Sequence, residues 1–79
     1  MEYEVKLPDL GDDAGDEAEV SFWYVDPDET VEKDQDLVEM VTDKAAFTVP
    51  SPENGTLKEI LAPEGQQVKV GEVMAVIVG

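Results

Sequence analysis

Cysteine, histidine and arginine are all missing from this chain of 79 residues. Without cysteine there is no disulfide staple, which removes the small disulfide-bonded secreted class. Without histidine as well, neither a zinc site of the usual kind nor a nucleophilic triad can form. Ser21 and Ser51 are left with no base to activate them. Carboxylates are plentiful, but a hydrolase built on two of them needs a cleft that so small a chain does not offer. No apolar stretch approaches the roughly 20 residues that span a bilayer. The start, Met1-Glu2-Tyr3-Glu4-Val5, is acidic and lacks the apolar run of a secretory signal. A soluble intracellular protein that is not an independent enzyme is expected.

What the chain has instead is negative charge: 20 acids against five lysines, for a net charge of −15. Thirteen of the acids lie between Asp9 and Glu39, where Lys33 is the only base. Such a surface repels nucleic acid and anionic membranes, so neither is an expected partner. It keeps a small domain soluble, and it also suits docking onto basic patches of larger partners. Adaptation to high salt gives the same composition. The segment Asp26-Pro27-Asp28-Glu29-Thr30-Val31 does not make a calcium loop, because Val31 stands where the loop requires Gly and Leu37 where it requires Glu. No metal site is expected.

The length predicts one domain, residues 1–79, with no room for a second core. A chain this small buries only about 60–65% of its unfolded surface, so its interior must be well patterned. The 42% of hydrophobic residues allows that and argues against disorder. Few segments show the helical period. Short alternating runs bounded by Gly, Pro, Asn and Asp predict strands near Glu2–Leu7, Ala18–Val25, Thr30–Lys33, Leu37–Thr42, Ala45–Val49, Gly55–Leu61, Gln67–Val70 and Val73–Val78.

The chain also repeats itself. The run from Val31 to Met40 lies on the run from Val68 to Ile77 at an offset of 37, which also puts Val20 on Leu57, Trp23 on Ile60 and Val25 on Ala62. Val5-Lys6-Leu7-Pro8 matches Phe47-Thr48-Val49-Pro50 at an offset of 42, which predicts a five-residue insertion between Asp9 and Glu19. Two half-units, each too small to bury its own apolar face, predict a pseudo-two-fold all-β unit of two packed sheets. The expected core is Trp23, Val25, Val31, Leu37, Val41, Val49, Leu57, Ile60, Val68, Val76 and Ile77.

Two predicted strands meet at Asp43-Lys44-Ala45, so Lys44 stands at the tip of a tight hairpin, the second strand stopping at Pro50. A type I turn suits these L-residues better than the type I′ turn that Asn-Gly favours. A lysine so placed is held out in water by a stiff scaffold, where a modifying enzyme can grip and acylate it. The symmetry-related turn falls near Val78 and the chain end, where there is no lysine, so the repeat supplies one such turn.

Glu39-Met40-Val41-Thr42-Asp43-Lys44-Ala45 resembles the attachment hairpin of the lipoyl domain of the dihydrolipoamide acyltransferase component of 2-oxo acid dehydrogenase complexes. The resemblance extends through Lys6-Leu7-Pro8-Asp9-Leu10-Gly11, Glu19-Val20 to Val25, Val31 to Leu37, Pro50-Ser51-Pro52 with Gly55, and Val68-Lys69-Val70-Gly71. It implies the biotinyl/lipoyl carrier fold, a flattened β-barrel or sandwich of two four-stranded antiparallel sheets. It further implies that a lipoate ligase or transferase links lipoic acid to Lys44 through an amide, taking the charge from −15 to −16. Asp43 and Ala45 are implied to be read by that enzyme, the small Ala leaving backbone room; ordinary turn chemistry is the alternative for both, and for Asp43 it accounts equally well. The implied partners are a thiamine-dependent 2-oxo acid decarboxylase, the acyltransferase catalytic core and a flavin-dependent dihydrolipoamide dehydrogenase, served by a monomeric carrier domain with a swinging arm. The implied place is the cytoplasm, or the mitochondrial matrix in a eukaryote.

The loop from Asp9 to Glu17 is implied to lie beside the lysine turn and to help the decarboxylase choose its carrier, with Gly11 and Gly15 permitting positive φ. Three departures bear on the cognate complex: Asp34 stands where Gly is frequent, Val41 where Glu is frequent, and Asp12-Asp13-Ala14-Gly15-Asp16 lacks the usual Glu-Gly pair. A biotin carrier shares the fold, but such domains place Met on both sides of the lysine, where this chain has Asp43 and Ala45. An unmodified interaction module of the same fold is the other alternative.

Overall fold

The computed structural model describes residues 1–9 and 15–79, and among them only strands and turns occur. The strands are β1 (Glu2–Lys6), β2 (Glu17–Trp23), β3 (Thr30–Val31), β4 (Asp36–Val41), β5 (Ala46–Pro50), β6 (Gly55–Ile60), β7 (Gln67–Lys69) and β8 (Val73–Val78). Each lies within two residues of its predicted ends. Pro50 ends β5 from inside the strand, which an edge strand tolerates because its outer N–H positions need no partner.

The strands form two four-stranded antiparallel sheets, ordered β1-β8-β6-β3 and β5-β4-β2-β7. Exchanging β1 with β5, β2 with β6, β3 with β7 and β4 with β8 converts one order into the other, so the expected two-fold relates the sheets. The register obeys the offset of 37: Val20 faces Met40 as Leu57 faces Ile77, and Trp23 faces Val38 as Ile60 faces Ala75.

The first strand corrects the sequence reading. Val5 faces Ala75 as Val49 faces Val38, and Tyr3 faces Ile77 as Phe47 faces Met40, which is an offset of 44 rather than 42. Gly71 donates its N–H to Leu7 C=O at 2.9 Å, as Asp34 does to Ser51 C=O at 2.9 Å, so Leu7 corresponds to Ser51. The first half is therefore seven residues longer between its first two strands than the second (44 against 37). Matching the two prolines gave 42. A slip of two keeps every side chain on its face, so alternation could not expose the error.

Irregular register in β4 and β8 corrects the core. Asp36 pairs with Pro50 and Val38 with Val49, leaving Leu37 as an extra residue; Val73 and Ala75 leave Met74 in the same way. Consecutive residues then turn inward, and Leu37, Val38 and Met40 are buried, as are Met74, Ala75 and Ile77. Past the bulge the parity is reversed, so Val41 and Val76 are only half-buried. Val25, Val31, Val49, Leu57 and Val68 are in the core as expected, joined by Val5, Leu7 and Val20. Trp23 and Ile60 pack half-buried against it, and the Trp23 indole N–H donates to Ala62 C=O at 2.9 Å.

Candidate functional site at the Lys44 turn

Strands β4 and β5 stay paired as far as Val41 and Ala46, and Thr42-Asp43-Lys44-Ala45 makes the reversal. The Thr42 N–H donates to Ala45 C=O at 2.8 Å. Neither Asp43 nor Lys44 has positive φ, which excludes types I′, II and II′ and agrees with the type I turn expected for two L-residues. The Thr42 hydroxyl ties the turn together: it accepts the Ala45 N–H at 3.1 Å and the Lys44 N–H at 3.3 Å, and it donates to Ala45 C=O at 3.2 Å. A threonine opening a turn commonly takes up the N–H groups that follow it. The backbone of Lys44 is thus fixed from one side while Asp43, Lys44, Ala45 and Ala46 are all exposed.

The equivalent place in the other half is occupied by the two ends of the chain. Gly79 donates its N–H to Met1 C=O at 2.9 Å, the counterpart of the Thr42–Ala45 bond, and the Met1 ammonium donates back to Gly79 C=O at 3.0 Å. Only one of the two symmetry-related corners carries a lysine.

Beside the turn lies a shallow cleft of about 400 Å³ walled by Glu17, Glu19, Val41, Thr42, Asp43 and Gln67. Its rim is carboxylate-rich, so a modifying or docking partner meets negative charge next to the amine. Glu17, the first residue of β2 and the end of the predicted loop, forms part of this wall. Gly15 has φ of 77°, also as expected, whereas Leu10, Gly11, Asp12, Asp13 and Ala14 lie outside the described residues. Asp34, where the resembling family often has Gly, takes φ of 70°, and its counterpart is Gly71 at 89°. An aspartate accepts the left-handed conformation there, so that departure leaves the turn intact.

Asp43, Lys44 and Ala45, singled out from the sequence, are exposed together on the turn, whereas Thr42, the residue that shapes it, was missed. Glu19 was also missed as a wall of the cleft. A hydroxyl residue at the first position of the turn was the available signal for Thr42. Nothing local marks Glu19, which reaches the site because β2 pairs with β4, Glu19 facing Val41.

Residues 3–77 match the Biotin_lipoyl family, described as "Biotin-requiring enzyme". The dihydrolipoyllysine-residue acetyltransferase components of the pyruvate dehydrogenase complex of Staphylococcus epidermidis and Staphylococcus aureus are each 38% identical over 77 residues, covering 98% of this chain and 18% of theirs. The chain thus spans about a fifth of the length of these curated relatives. The solution structure of the lipoyl domain of the 2-oxoglutarate dehydrogenase complex from Azotobacter vinelandii superposes with a TM-score of 0.76 at 28% identity, covering 96% of this chain and 95% of that one. The crystal structure of Kluyveromyces lactis urea carboxylase shares the fold, with a TM-score of 0.73 at 22% identity over 96% of this chain and 7% of the larger protein.

Proposed function

This chain belongs to the biotin- and lipoyl-attachment family, and from that premise we propose that it is a lipoyl carrier with Lys44 as its attachment residue. The observation that carries the reading is a lysine side chain exposed at the tip of a hairpin whose backbone is fixed by Thr42. An amine displayed in this way fits an amide-linked arm: it is open to a ligase or transferase, and the two-sheet body behind it supplies rigidity. Asp43 and Ala45, exposed on either side, are the residues the lipoylating enzyme reads, the small Ala45 leaving room for close approach of its backbone. The dithiolane of lipoate supplies acyl-group and electron carriage among a thiamine-dependent 2-oxo acid decarboxylase, an acyltransferase core and a flavin-dependent dihydrolipoamide dehydrogenase. The chain's own part is to present that arm, to raise its local concentration at each active site, and to offer the carboxylates around the turn for docking. All 79 residues act as one carrier unit without catalytic residues of their own, as a part or partner of a dihydrolipoamide acyltransferase.

Incubation with a lipoate ligase, ATP and lipoate, followed by intact-mass and peptide mass spectrometry, tests the reading. One lipoyl group on Lys44 is expected, and none on a Lys44→Arg variant that keeps the native circular dichroism and melt. A product carrying lipoate on another lysine, or a chain that stays unmodified or accepts biotin instead, overturns it.

A further inference from the structure

The two sheets share one backbone plan, and their outer faces differ in chemistry. Phe22, near the end of β2, and Tyr24, just beyond it, are 38% and 45% exposed, with ring centroids 4.7 Å apart in an edge-on pair. Their counterparts on the other sheet, at the offset of 37, are Glu59 and Leu61. The fold therefore does not require aromatic rings at these positions. Glu39 lies directly across from Phe22 on β4, and its counterpart is Val76. The Tyr24 N–H donates to Leu37 C=O at 2.8 Å, which seats its ring beside the strand that begins at Asp36. The Tyr24 hydroxyl is held above its usual range, first by partial burial and then by the charges of Glu39 and Asp36. The ion pairs between described residues, Lys6 with Glu4 and Lys58 with Glu2, involve β1 and β6 of the opposite sheet. Neither Glu39 nor Asp36 is in an ion pair among the described residues.

We propose that this strip of β2 and β4 is a docking surface for an arginine-bearing segment of a partner protein. A guanidinium lies flat on an aromatic ring and hydrogen-bonds a carboxylate through its edge, so one side chain uses both components of the strip. An ammonium cannot make the planar, two-pronged contact. The site's charge complements such a segment and repels phosphate-bearing partners. From Glu39, strand β4 continues to its end at Val41, about 7 Å along the strand, and the chain then enters the Lys44 turn, so a partner held on the strip is held beside that turn. The inference does not depend on lipoylation, because binding is read on the unmodified chain.

The test uses two blocked peptides of equal charge, one alternating arginine with glycine and the other lysine with glycine. Each is titrated into the ¹⁵N-labelled chain at low salt. The arginine peptide is expected to bind about two- to five-fold more tightly, with amide shifts concentrated on β2 and β4. Tyr24→Ser and Glu39→Gln are each expected to weaken it by about two- to five-fold, while Glu59→Gln, the same loss of charge at the position equivalent to Phe22, leaves it unchanged. Absence of binding, equal affinity for the two peptides, shifts spread over every acidic surface, or an equal effect of Glu59→Gln would each overturn the proposal.

Discussion

Asp28 and Asp34 hold a left-handed backbone at φ of 76° and 70°, and their counterparts in the other half are glycines, Gly65 and Gly71, both at 89°. Each N–H in the set is committed: Asp28 to Leu57 C=O at 2.7 Å, Gly65 to Val20 C=O at 2.8 Å, Asp34 to Ser51 C=O and Gly71 to Leu7 C=O at 2.9 Å. The turn dictates φ, and the side chain must tolerate it. Aspartate does so at a steric cost that glycine avoids, partly offset by the greater freedom of glycine in the unfolded chain. Asp34→Gly is therefore expected to stabilise by about 0.5 kcal/mol, and Gly71→Ala to destabilise by about 1 kcal/mol or more, in urea denaturation. Asp34→Asn serves as the control for charge, and a loss of stability in Asp34→Gly would show that the aspartate side chain contributes contacts of its own. Gly55 is constrained differently, by space. A Cβ there would overlap the Val78 carbonyl oxygen and come within 2.9 Å of Ile77 Cγ2, whereas the equivalent residue Ala18 carries its methyl group buried without conflict. Gly55→Ala should cost about 1–3 kcal/mol, since a backbone carbonyl must move to admit it. A melt unchanged by that substitution would mean that β6 and β8 separate easily.

At the scale of the element, the β4–β5 hairpin rests on one hydroxyl. Thr42→Val keeps the shape of the side chain and removes the acceptor for the Lys44 and Ala45 N–H groups. Both amides are near water, so the expected loss of stability is small, about 0.5–1 kcal/mol. The larger expected effect is on the rate of lipoylation by a ligase, which should fall while Lys44 remains the acceptor, with Thr42→Ser restoring it. An unaltered rate would mean that the enzyme itself shapes the turn. This hairpin was legible from composition: alternation on both sides, two L-residues between them, and Pro50 after them. The strands were legible for the same reason, since Val, Ile, Phe and Tyr alternate with acids between Gly, Pro and Asp. The bulges were not. Leu37-Val38 and Met74-Ala75 read as ordinary alternation, and the fact that both members turn inward is decided by the register of pairing, with the hairpin neighbour β5 in one case and with the distant β1 in the other. Val41 and Val76 were placed in the core on a parity that the bulge reverses. The offset of the first strand failed for a related reason, because Leu7 corresponds to Ser51, a buried polar residue that satisfies itself by donating to Glu53 C=O at 2.7 Å. Similarity of side chains could not reveal that equivalence.

Over the whole molecule the dominant physical fact is a charge of −15 on a body of 34 × 20 × 17 Å. The Glu2–Lys58 pair works within that field. Hydrogen bonding and the charge of Lys58 hold the Glu2 carboxyl below its ordinary value of 4.5, and the same contact with Glu2 holds Lys58 above 10.5. A depressed carboxylate contributes stability above its unfolded value and loses it as pH falls through the folded one. A raised ammonium contributes below its unfolded value and loses it as pH rises through the folded one. The pair is therefore intact across the whole neutral range and cannot produce a change in stability between pH 7 and 5.5. Repulsion among the acids can. At about 0.01 M salt the screening length is about 30 Å, so each carboxylate feels the others across the molecule; at about 0.15 M it is about 8 Å, and only neighbours remain. Folding concentrates those charges, so screening should favour the folded state. The melting temperature at pH 7 is expected to rise over that range, by about 4–8 °C for each kcal/mol of repulsion relieved. Sodium chloride and choline chloride should act alike, because ionic strength rather than a bound cation is responsible. A rise with sodium alone would point to specific ion binding. A flat or falling curve would mean that the acids are spaced widely enough to be harmless to folding, and the reason for so many of them would then have to be sought in what the surface meets.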